Sequence, residues 1–263
     1  MLMGRPAPAA LPEAQVAPRP MIQCRSEAAY GFPRAQKIDT IQLCRKGYAL
    51  EYDNQAKIPI WASYLLTPIE TTGCTKRSND FKPDLSLNPA ARSTKKDYEN
   101  SGYDKGHMVN DGDMRWDSVA EDESFLMSNM APQLPEFNRG IWKRLEDSTR
   151  GWTLNRQHPI QVYVGPIYDK NDQTIGQDHV VVPHGFWKIL IDTQTNEVMV
   201  FKFKHEGSKD DLSSFLTTLA DVQKDTGLVL PMPDKVKFSP EMWPRIVKSV
   251  ARQKNIICSL KPH

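Results

Sequence analysis

Residues 103–117 read YDKGHMVNDGDMRWD, and this stretch decides how the rest of the chain is interpreted. At its start Gly106 lies between Lys105 and His107, and Asp104 comes immediately before them. Glycine allows the backbone a close turn that a Cβ atom would obstruct. The unperturbed histidine pKa of about 6.5 suits His107 to take a proton from water near neutral pH. A structural histidine is the alternative, so the choice depends on the motifs that follow.

A second motif begins after Pro132 and Pro135, which we expect to break a strand-like segment. Residues 137–150 then show a helical pattern, with Ile141 and Leu145 as an apolar stripe. Polar residues recur beside this stripe at every fourth position, with one tryptophan among them: Asn138, Trp142, Glu146 and Arg150. Such spacing places all four on one side of a helix. Poorly exposed polar groups need partners, and a hydrated metal ion would be one.

Each polar residue of this helix also has a simpler explanation. Asn138 can cap the helix, or it can be a neutral oxygen ligand for Mg²⁺, which keeps several waters and needs few protein oxygens. Glu146 can form an i,i+4 ion pair with Arg150, worth about 0.2–0.5 kcal/mol, or it can accept hydrogen bonds from metal-bound waters. Taken singly, the simpler explanations are preferred. Together, His107, Asn138 and Glu146 indicate a hydrolytic metal site.

The composition is that of an ordinary soluble globular protein. The chain has 263 residues, of which 39% are hydrophobic and 25% charged, and its formal net charge is +2. This near balance neither requires nor excludes a polyanionic partner. No apolar run approaches the roughly 20 residues that span a bilayer, so no membrane association is expected. We predict one domain over residues 22–263, preceded by a disordered or processed arm over residues 1–21.

Strand and helix patterns are mixed without regular alternation, which predicts an α+β fold with a central antiparallel sheet flanked by helices. The predicted strands lie within residues 46–66, as a hairpin, and at 160–168, 179–192 and 197–205, the last two forming a second hairpin. Further helices are predicted at 209–225 and 239–253. Residues 73–100 are expected to form a long surface loop that carries basic side chains.

Four cysteines, at positions 24, 44, 74 and 258, include no Cys-x-x-Cys pair, so a zinc knuckle is not expected. We favour the disulfides Cys24–Cys44 and Cys74–Cys258, which would tie both ends of the chain to its body. Four buried thiols in a reducing compartment are the alternative. Disulfides favour secretion, the periplasm or a toxin role. The lack of a recognisable signal peptide leaves a phage or intracellular origin open.

Three motifs follow one another in order: YDKGHMVNDGDMRWD at 103–117, ESFLMSNMAPQ at 123–133 and FNRGIWKRLE at 137–146. Together they resemble the DNA/RNA non-specific endonuclease family, which has a ββα-metal fold and includes secreted bacterial nucleases and mitochondrial endonuclease G. The signature of that family is Asp-Arg-Gly-His, then Ser-Asn-x-x-Pro-Gln, then an Asn-x-x-x-Trp-x-x-x-Glu helix. The segments VYVGPIY and VPHGFWKILID look like its later strands, so the resemblance spans about residues 40–205.

The resemblance implies a role for each matching residue. His107 would be the general base that activates the attacking water. Asn138 would be the sole direct protein ligand of a Mg²⁺ ion, with Mn²⁺ as the alternative, and Glu146 would hold a water of that ion's shell. Asn129 would position the substrate phosphate or His107. Arg150 would contact the phosphate or stabilise charge in the transition state.

The remaining implied roles concern support and substrate binding. Gln133 would support the site less directly, and Asp104 would fix the turn through backbone hydrogen bonds. Lys105 stands where the family has arginine, and a point charge grips a phosphate less firmly than a planar guanidinium. We therefore expect weaker phosphate positioning and retained catalysis. Arg77 and Arg92 are the candidates for an upstream phosphate-binding arginine.

The implied function is metal-dependent hydrolysis of phosphodiester bonds in DNA and RNA, leaving 5′-phosphate and 3′-hydroxyl ends. The alternative is a nucleic-acid-binding protein of nuclease ancestry whose activity is weakened at Lys105. A structural or interaction protein on the same scaffold is a third hypothesis. The family also suggests a homodimer, and a toxin role would add an inhibitor or immunity protein as a partner.

Overall fold

The fold is built on one long sheet. The computed structural model describes residues 19–35, 39–239, 241–244 and 249–259. The strands are β1 Thr40–Arg45, β2 Tyr48–Asp53, β3 Ile58–Leu66, β4 Asp104–His107, β5 Met130–Gln133, β6 Ile160–Ile167, β7 Thr174–Ile175, β8 Val180–Val181, β9 Gly185–Asp192, β10 Glu197–Lys204 and β11 Lys237–Phe238. The α-helices are α1 Lys95–Tyr98, α2 Asp111–Met114, α3 Ser118–Ser124, α4 Lys143–Arg156, α5 Leu219–Thr226 and α6 Val250–Ser259.

Seven strands form the sheet in the order β1-β2-β3-β6-β9-β10-β11. All neighbours in it are antiparallel except β10 and β11, which are parallel. The strands β4 and β5 pair separately as a two-stranded ribbon, and β7 pairs with β8. The predicted α+β class with a mainly antiparallel central sheet is therefore confirmed.

Both faces of the sheet are buried, as the alternating side chains of β9 illustrate. Successive side chains of a strand point to opposite faces. Phe186 and Leu190 pack into one apolar cluster, and Trp187 and Ile189 pack into another. Leu145 of α4 belongs to the cluster of Phe186, so α4 covers that face. The near-continuous apolar sequence of β9 is explained by burial on both sides.

The predicted hairpins are confirmed as β2–β3 and β9–β10, and β6 lies at its predicted place. The segment 179–192 is divided, because Val180–Val181 pairs with β7 and the long strand begins at Gly185. Residues 73–100 are mostly irregular, as predicted, but they do not lie entirely on the surface. Asp84 in this segment is 3% exposed, and it accepts a hydrogen bond from Arg45 of β1.

The predicted single helix at 209–225 is wrong. The structure has a 3₁₀ turn at Leu212–Phe215 and a separate helix, α5. Between them Leu216 forms a β-bridge with Phe201 of the sheet, which requires extended backbone. Thr218 then caps α5 by accepting a hydrogen bond from the Asp221 N–H at 3.1 Å. Pairing with the sheet therefore overrides the helical spacing of the apolar residues.

The two ends of the chain also differ from expectation. Residues 1–18 of the predicted arm lie outside the described residues, but Arg19 forms an ion pair with Glu123 at 2.7 Å and a β-bridge with Cys44. Of the helix predicted at 239–253, residues 240 and 245–248 lie outside the described residues and 241–244 are not helical. The helix there, α6, begins at Val250.

Both predicted disulfides are present. Cys24–Cys44 joins the 3₁₀ turn Met21–Glu27 to β1, with a Cα–Cα distance of 5.6 Å. Cys74–Cys258 joins α6 to the segment that precedes α1, with a Cα–Cα distance of 5.5 Å. In the described part of the chain, no helix has the length and apolar character needed to cross a membrane.

Candidate active site

An open space of about 720 Å³, called the cleft below, lies beside the β4–β5 ribbon and the start of α4. Six of the predicted site residues line it: Arg77, Lys105, His107, Asn138, Glu146 and Arg150. Arg77 comes from the irregular segment before α1, and Lys105 and His107 come from β4. The other three come from the helical segment made of the turn Phe137–Trp142 and α4. The fold thus brings together three separate parts of the chain.

The β4–β5 ribbon presents Lys105 and His107 to the cleft. Pro132 lies within β5, opposite Lys105, so the prediction that it breaks the strand is wrong. A two-stranded ribbon tolerates proline because few ladder hydrogen bonds are lost there. A Cβ atom on Gly106 would lie 2.2 Å from Cδ of Gln133. Glycine is therefore required because the buried Gln133 side chain packs directly against this backbone.

Asn129 fixes the chain just after His107. It is fully buried, its Oδ1 accepts a hydrogen bond from the Val109 N–H at 3.0 Å, and its Nδ2 donates to the carbonyls of Val109 and Ser124 at 2.8 and 2.9 Å. Asn129 does not line the cleft. Of its two predicted roles, this geometry is suited to positioning His107.

The imidazole ring of His107 lines the cleft and packs against two phenylalanine rings. Its ring centroid is 5.5 Å from that of Phe81 and 5.0 Å from that of Phe125. Burial, opposed by Asp111 and assisted by Arg77, lowers the pKa of His107 to about 4. Its buried Nε2 has no hydrogen-bond partner in the described part of the chain. His107 is therefore neutral at neutral pH, as a general base must be.

Asp104 orients Asn138. The Asn138 Nδ2 donates to the Asp104 carboxylate at 3.0 Å, and Arg139 donates to the same carboxylate at 2.8 and 2.6 Å. Burial alone would raise the pKa of Asp104, but these hydrogen bonds lower it below its usual value. Asp104 thus acts through side chains, and the predicted backbone hydrogen bonds are not its role. Because the amide nitrogen is engaged, the Asn138 carbonyl oxygen is left without a partner among the described residues.

The helix that carries Asn138 is not regular. Residues Phe137–Trp142 form a π turn that is interrupted at Gly140, and α4 follows. Trp142 is fully buried, 5.6 Å from the Phe186 ring, and it does not line the cleft with Asn138, Glu146 and Arg150, the residues predicted to share its side of the helix. The Nζ of Lys188 lies 4.4 Å from the Trp142 ring centroid. Four-residue spacing does not hold across a π turn, which contains an extra residue.

Glu146 lines the cleft and makes no hydrogen bond or ion pair with the described residues. The simple alternative, an ion pair with Arg150, is not formed, because that arginine pairs with Asp113 and Asp147. Burial raises the pKa of Glu146 to about 7, although Lys188 and Arg150 act in the opposite direction. An unpaired carboxylate in this setting is suited to a cation or its waters.

Arg150 is held firmly at the wall of the cleft. Its Nη1 donates to Asp113 at 2.7 Å and to Asn110 Oδ1 at 2.9 Å, and its Nη2 donates to Asp147. Asp113 is fully buried. Only the pairing with the half-exposed Asp147 could be exchanged for a substrate phosphate without breaking a buried ion pair.

The two candidate upstream arginines have different surroundings. Arg77 lines the cleft, where it donates to Asp111 and lies 4.9 Å from the Phe125 ring centroid. Arg92 donates to the backbone carbonyls of Leu87 and Leu85, each at 3.0 Å, and it does not line the cleft. The structure therefore brings Arg77, and not Arg92, to the other site residues.

Lys105 lacks an ion-pair partner and Gln133 lacks hydrogen-bond partners among the described residues, but only Lys105 lines the cleft. Lys105 has no carboxylate partner among the described residues, and its Nζ lies 5.0 Å from the Phe81 ring centroid. Gln133 is fully buried, and both of its amide atoms lack partners in the described chain. Lys105 lines the cleft, so its ammonium is placed to meet an anion there.

The sequence analysis missed further charged residues of the cleft, among them Asp111, Arg115 and Lys254. It also missed Asp113, which does not line the cleft but pairs with Arg150. The carboxylate of Asp111 accepts hydrogen bonds from both Arg77 and Arg115. A signal for the acidic pair was present in the residues NDGD at 110–113, which lie inside the first motif. No local signal pointed to Lys254, since 104 positions separate it from Arg150.

The donor set suits a hard cation that retains its water. Among the described residues, no group of three or more His, Cys, Asp or Glu is arranged to hold a metal ion. The cleft offers instead the free carbonyl oxygen of Asn138 and the unpaired carboxylate of Glu146. Mg²⁺ requires few protein oxygens because it keeps most of its waters. The residues present therefore fit a largely hydrated divalent ion.

Comparison with known proteins adds an independent result. The sequence model of the DNA/RNA non-specific endonucleases matches residues 27–236. Human mitochondrial endonuclease G is 30% identical over 218 residues, which cover 77% of this chain and 72% of the relative. The nuclease of Serratia marcescens is 27% identical over 229 residues, covering 82% of this chain and 85% of the relative. A chain in a crystal structure of the EndoG/EndoGI complex superposes with a TM-score of 0.72 at 30% identity, covering 80% of this chain and 91% of that one.

Proposed function

This chain belongs to the DNA/RNA non-specific endonuclease family and is a nuclease, and we propose that it cleaves both DNA and RNA with His107 as the general base and Mg²⁺ bound through Asn138. One observation carries the proposal. The groups that the reaction needs share the cleft, and none has a hydrogen-bond or ion-pair partner on those atoms among the described residues: the buried His107 Nε2, the Asn138 carbonyl oxygen and the Glu146 carboxylate. Most of the other charged groups around them are already paired.

The family implies a divalent metal, and we assign Mg²⁺, with Mn²⁺ as the substitute. Asn138 would be its direct protein ligand, and Glu146 would hold a water of its shell. Such an ion would supply positive charge to balance the charge that develops on the phosphate and on the leaving oxygen. Asp104 prepares this site without touching the ion, because its hydrogen bond to Nδ2 turns the Asn138 oxygen outward.

The proton is handled by His107. With its pKa near 4 it is neutral at pH 7 and can accept a proton from the attacking water. Asn129 holds the chain beyond His107 in place through two hydrogen bonds to the backbone of Val109. Gln133 supports the ribbon from below by packing against Gly106.

The substrate phosphate is held by the basic groups of the cleft. Lys105, which has no carboxylate partner in the described part of the chain, offers a point charge, and Arg77 adds a second cation. Arg150 contributes positive potential beside Glu146, and it reaches a phosphate only by exchanging Asp147. No step uses a base or a 2′-hydroxyl group, so the same site serves DNA and RNA. We expect 5′-phosphate and 3′-hydroxyl ends.

The presence of Lys105 favours one second candidate, a nucleic-acid-binding protein with little activity. A lysine positions a phosphate less exactly than an arginine does. The intact set of His107, Asn138 and Glu146 supports the nuclease more strongly.

We also propose a cellular setting and protein partners. Two disulfides and the Serratia relative fit secretion or the periplasm, whereas the mitochondrial relatives indicate that the family also works elsewhere. The EndoG/EndoGI complex suggests that a protein inhibitor binds this chain as well. A homodimer remains a proposal from the family resemblance.

The test is incubation of the purified protein with supercoiled plasmid and, separately, with total RNA, each with Mg²⁺, Mn²⁺ or EDTA. We expect both substrates to be degraded with metal and to survive in EDTA. Lys105→Arg, assayed alongside, should raise the cleavage rate by about tenfold or less. Intact substrates with every ion, together with band shifts at low salt, would reject the nuclease and favour the binding protein.

A further inference from the structure

The helix α6 forms part of the cleft although it lies beyond the region that matches the family. The family match ends at residue 236, and α6 spans Val250–Ser259. Its first turn and Lys254 line the same cleft as His107 and Arg150. The helix packs against the turn Glu70–Thr72 and against α4. The cleft therefore has one wall that the family motifs do not supply.

Lys254 on this wall is an unpaired cation among other cations. It is half-buried and makes no hydrogen bond or ion pair with the described residues. Burial, Arg115 and Arg150 lower its pKa, and Asp111 opposes them. Asp111 is already engaged by two arginines, Arg77 and Arg115. The positive charges around Lys254 are therefore incompletely balanced by the protein, and an anion in the cleft would balance them.

The disulfide Cys74–Cys258 attaches this wall to the cleft. Cys258 follows Lys254 by four positions, so both lie on one side of α6. Cys74 lies three positions before Arg77, which lines the same cleft. The bond therefore fixes the face of α6 that carries Lys254 against the segment that carries Arg77.

We propose that Lys254 binds a backbone phosphate of the nucleic acid in the cleft and that the Cys74–Cys258 disulfide holds it in place to do so. This inference rests on the proposed function, because it assigns a further contact for the same substrate. It adds a substrate-binding residue that lies outside the matched region. The contact carries no sequence information, since it is made to the backbone.

The first experiment measures binding of a short DNA duplex between 50 and 200 mM salt, with His107→Ala in every protein to prevent cleavage. Lys254→Ala should weaken binding roughly tenfold at the lowest salt. The slope of log affinity against log salt should fall by about 0.9, the value for one phosphate contact. Lys254→Arg should restore both quantities. Arg252→Ala is the matched control, because Arg252 is exposed on the same helix and does not line the cleft.

Lys254→Ala with the binding and salt slope of the parent would overturn the proposal. The proposed function has a separate test, since it fails only if the wild type with metal leaves plasmid and RNA intact. In the active enzyme, Lys254→Ala should raise KM roughly tenfold with little change in kcat. A fall in kcat alone would also contradict a substrate-binding role.

The second experiment tests the disulfide with the double variant Cys74→Ser/Cys258→Ser. It should lose as much affinity as Lys254→Ala, and adding Lys254→Ala to it should cause no further loss. Losses that add would show that Lys254 binds without the disulfide and would overturn that half of the proposal. If the serine variant does not fold by circular dichroism, mild reduction of the folded enzyme replaces it.

Discussion

Two fully buried glutamines in this chain have opposite surroundings. Gln161, in the central sheet, accepts a hydrogen bond from the Ala29 N–H at 2.7 Å and donates to the carbonyls of Glu27 and Tyr64 at 3.1 and 3.0 Å. Gln133, in the ribbon beside the cleft, has no partner for either amide atom in the described chain. Burying an unpaired amide is costly. The comparison indicates that the sheet satisfies the amide of Gln161, whereas the ribbon beside the cleft leaves the amide of Gln133 unpaired among the described residues.

The same difference extends to neighbouring residues. Beside the ribbon and α4, unpaired buried atoms belong to His107, Trp142 and Lys188. The far face of the sheet is not entirely free of such atoms, since Trp187 Nε1 is also unpaired. The chemistry separates the cases, because the neutral imidazole of His107 can accept a proton and an indole nitrogen can only donate a hydrogen bond. Of the buried atoms without a partner in the described chain, His107 Nε2 is the one whose residue lines the cleft.

Among the variants that test the difference between the sheet and the cleft, Asn138→Ala should have the largest effect, on the Mg²⁺ dependence of cleavage. Removing the sole proposed protein ligand should raise the half-saturating Mg²⁺ concentration for cleavage by about 100-fold or more, since even outer partners of a metal contribute 10–100-fold. Asn155→Ala, near the end of α4, which follows the π turn of Asn138, is the matched control and should change this concentration less than twofold. Unchanged Mg²⁺ dependence in Asn138→Ala would exclude Asn138 as the ligand.

A pH series sharpens the role of Glu146. Its pKa near 7 means that the carboxylate gains a proton as the pH falls below 7 and loses its attraction for a hydrated cation. Metal affinity should therefore fall about tenfold per pH unit between pH 7 and 5, whereas His107, with a pKa near 4, contributes little in this range.

Glu146→Gln provides the control for that series. It should bind metal about 10–100-fold more weakly at pH 8 and show an almost flat dependence on pH. Calorimetric titration with Mg²⁺ in the absence of nucleic acid measures both quantities. A wild-type affinity that stays constant down to pH 5 would remove Glu146 from the site.

The smallest effect concerns stability and tests the two glutamines directly. Gln161→Leu should lower the free energy of unfolding by about 2 kcal/mol, because it leaves the Ala29 N–H and other buried groups unpaired. Gln133→Leu should cost little or stabilise the protein, since it removes two unpaired atoms at similar volume. Urea unfolding measures the loss of free energy of unfolding in each variant. A larger loss for Gln133→Leu than for Gln161→Leu would contradict the difference drawn between the two glutamines.

The sheet was largely predictable because its strands carry their own signals. In β6, β9 and β10 apolar residues are nearly continuous, and a short polar turn separates β9 from β10. The prediction of one helix at 209–225 was wrong because Leu216 pairs with Phe201 of the sheet. The spacing of apolar residues along the sequence does not reveal such a contact between distant residues. The Trp142 side chain was misplaced for a related reason, since nothing in the local sequence indicated a π turn.

At the site, the motifs predicted which residues meet but not how they are held. His107, Asn138 and Glu146 do share the cleft. The dependence of Asn138 on Asp104 arises from side chains 34 positions apart. Lys254 reaches the cleft through a disulfide that spans 184 positions, so only the folded chain shows it.

The most direct test of the central claim is the single-turnover cleavage rate of His107→Ala at saturating Mg²⁺. Near-ultraviolet circular dichroism and duplex affinity, measured on the same sample, establish that the fold and substrate binding are intact. We predict a loss of about 10²–10⁴-fold, the contribution of a positioned general base. A rate within threefold of the wild type would contradict the assignment of His107 and, with it, the claim that the unpaired groups of the cleft perform the chemistry.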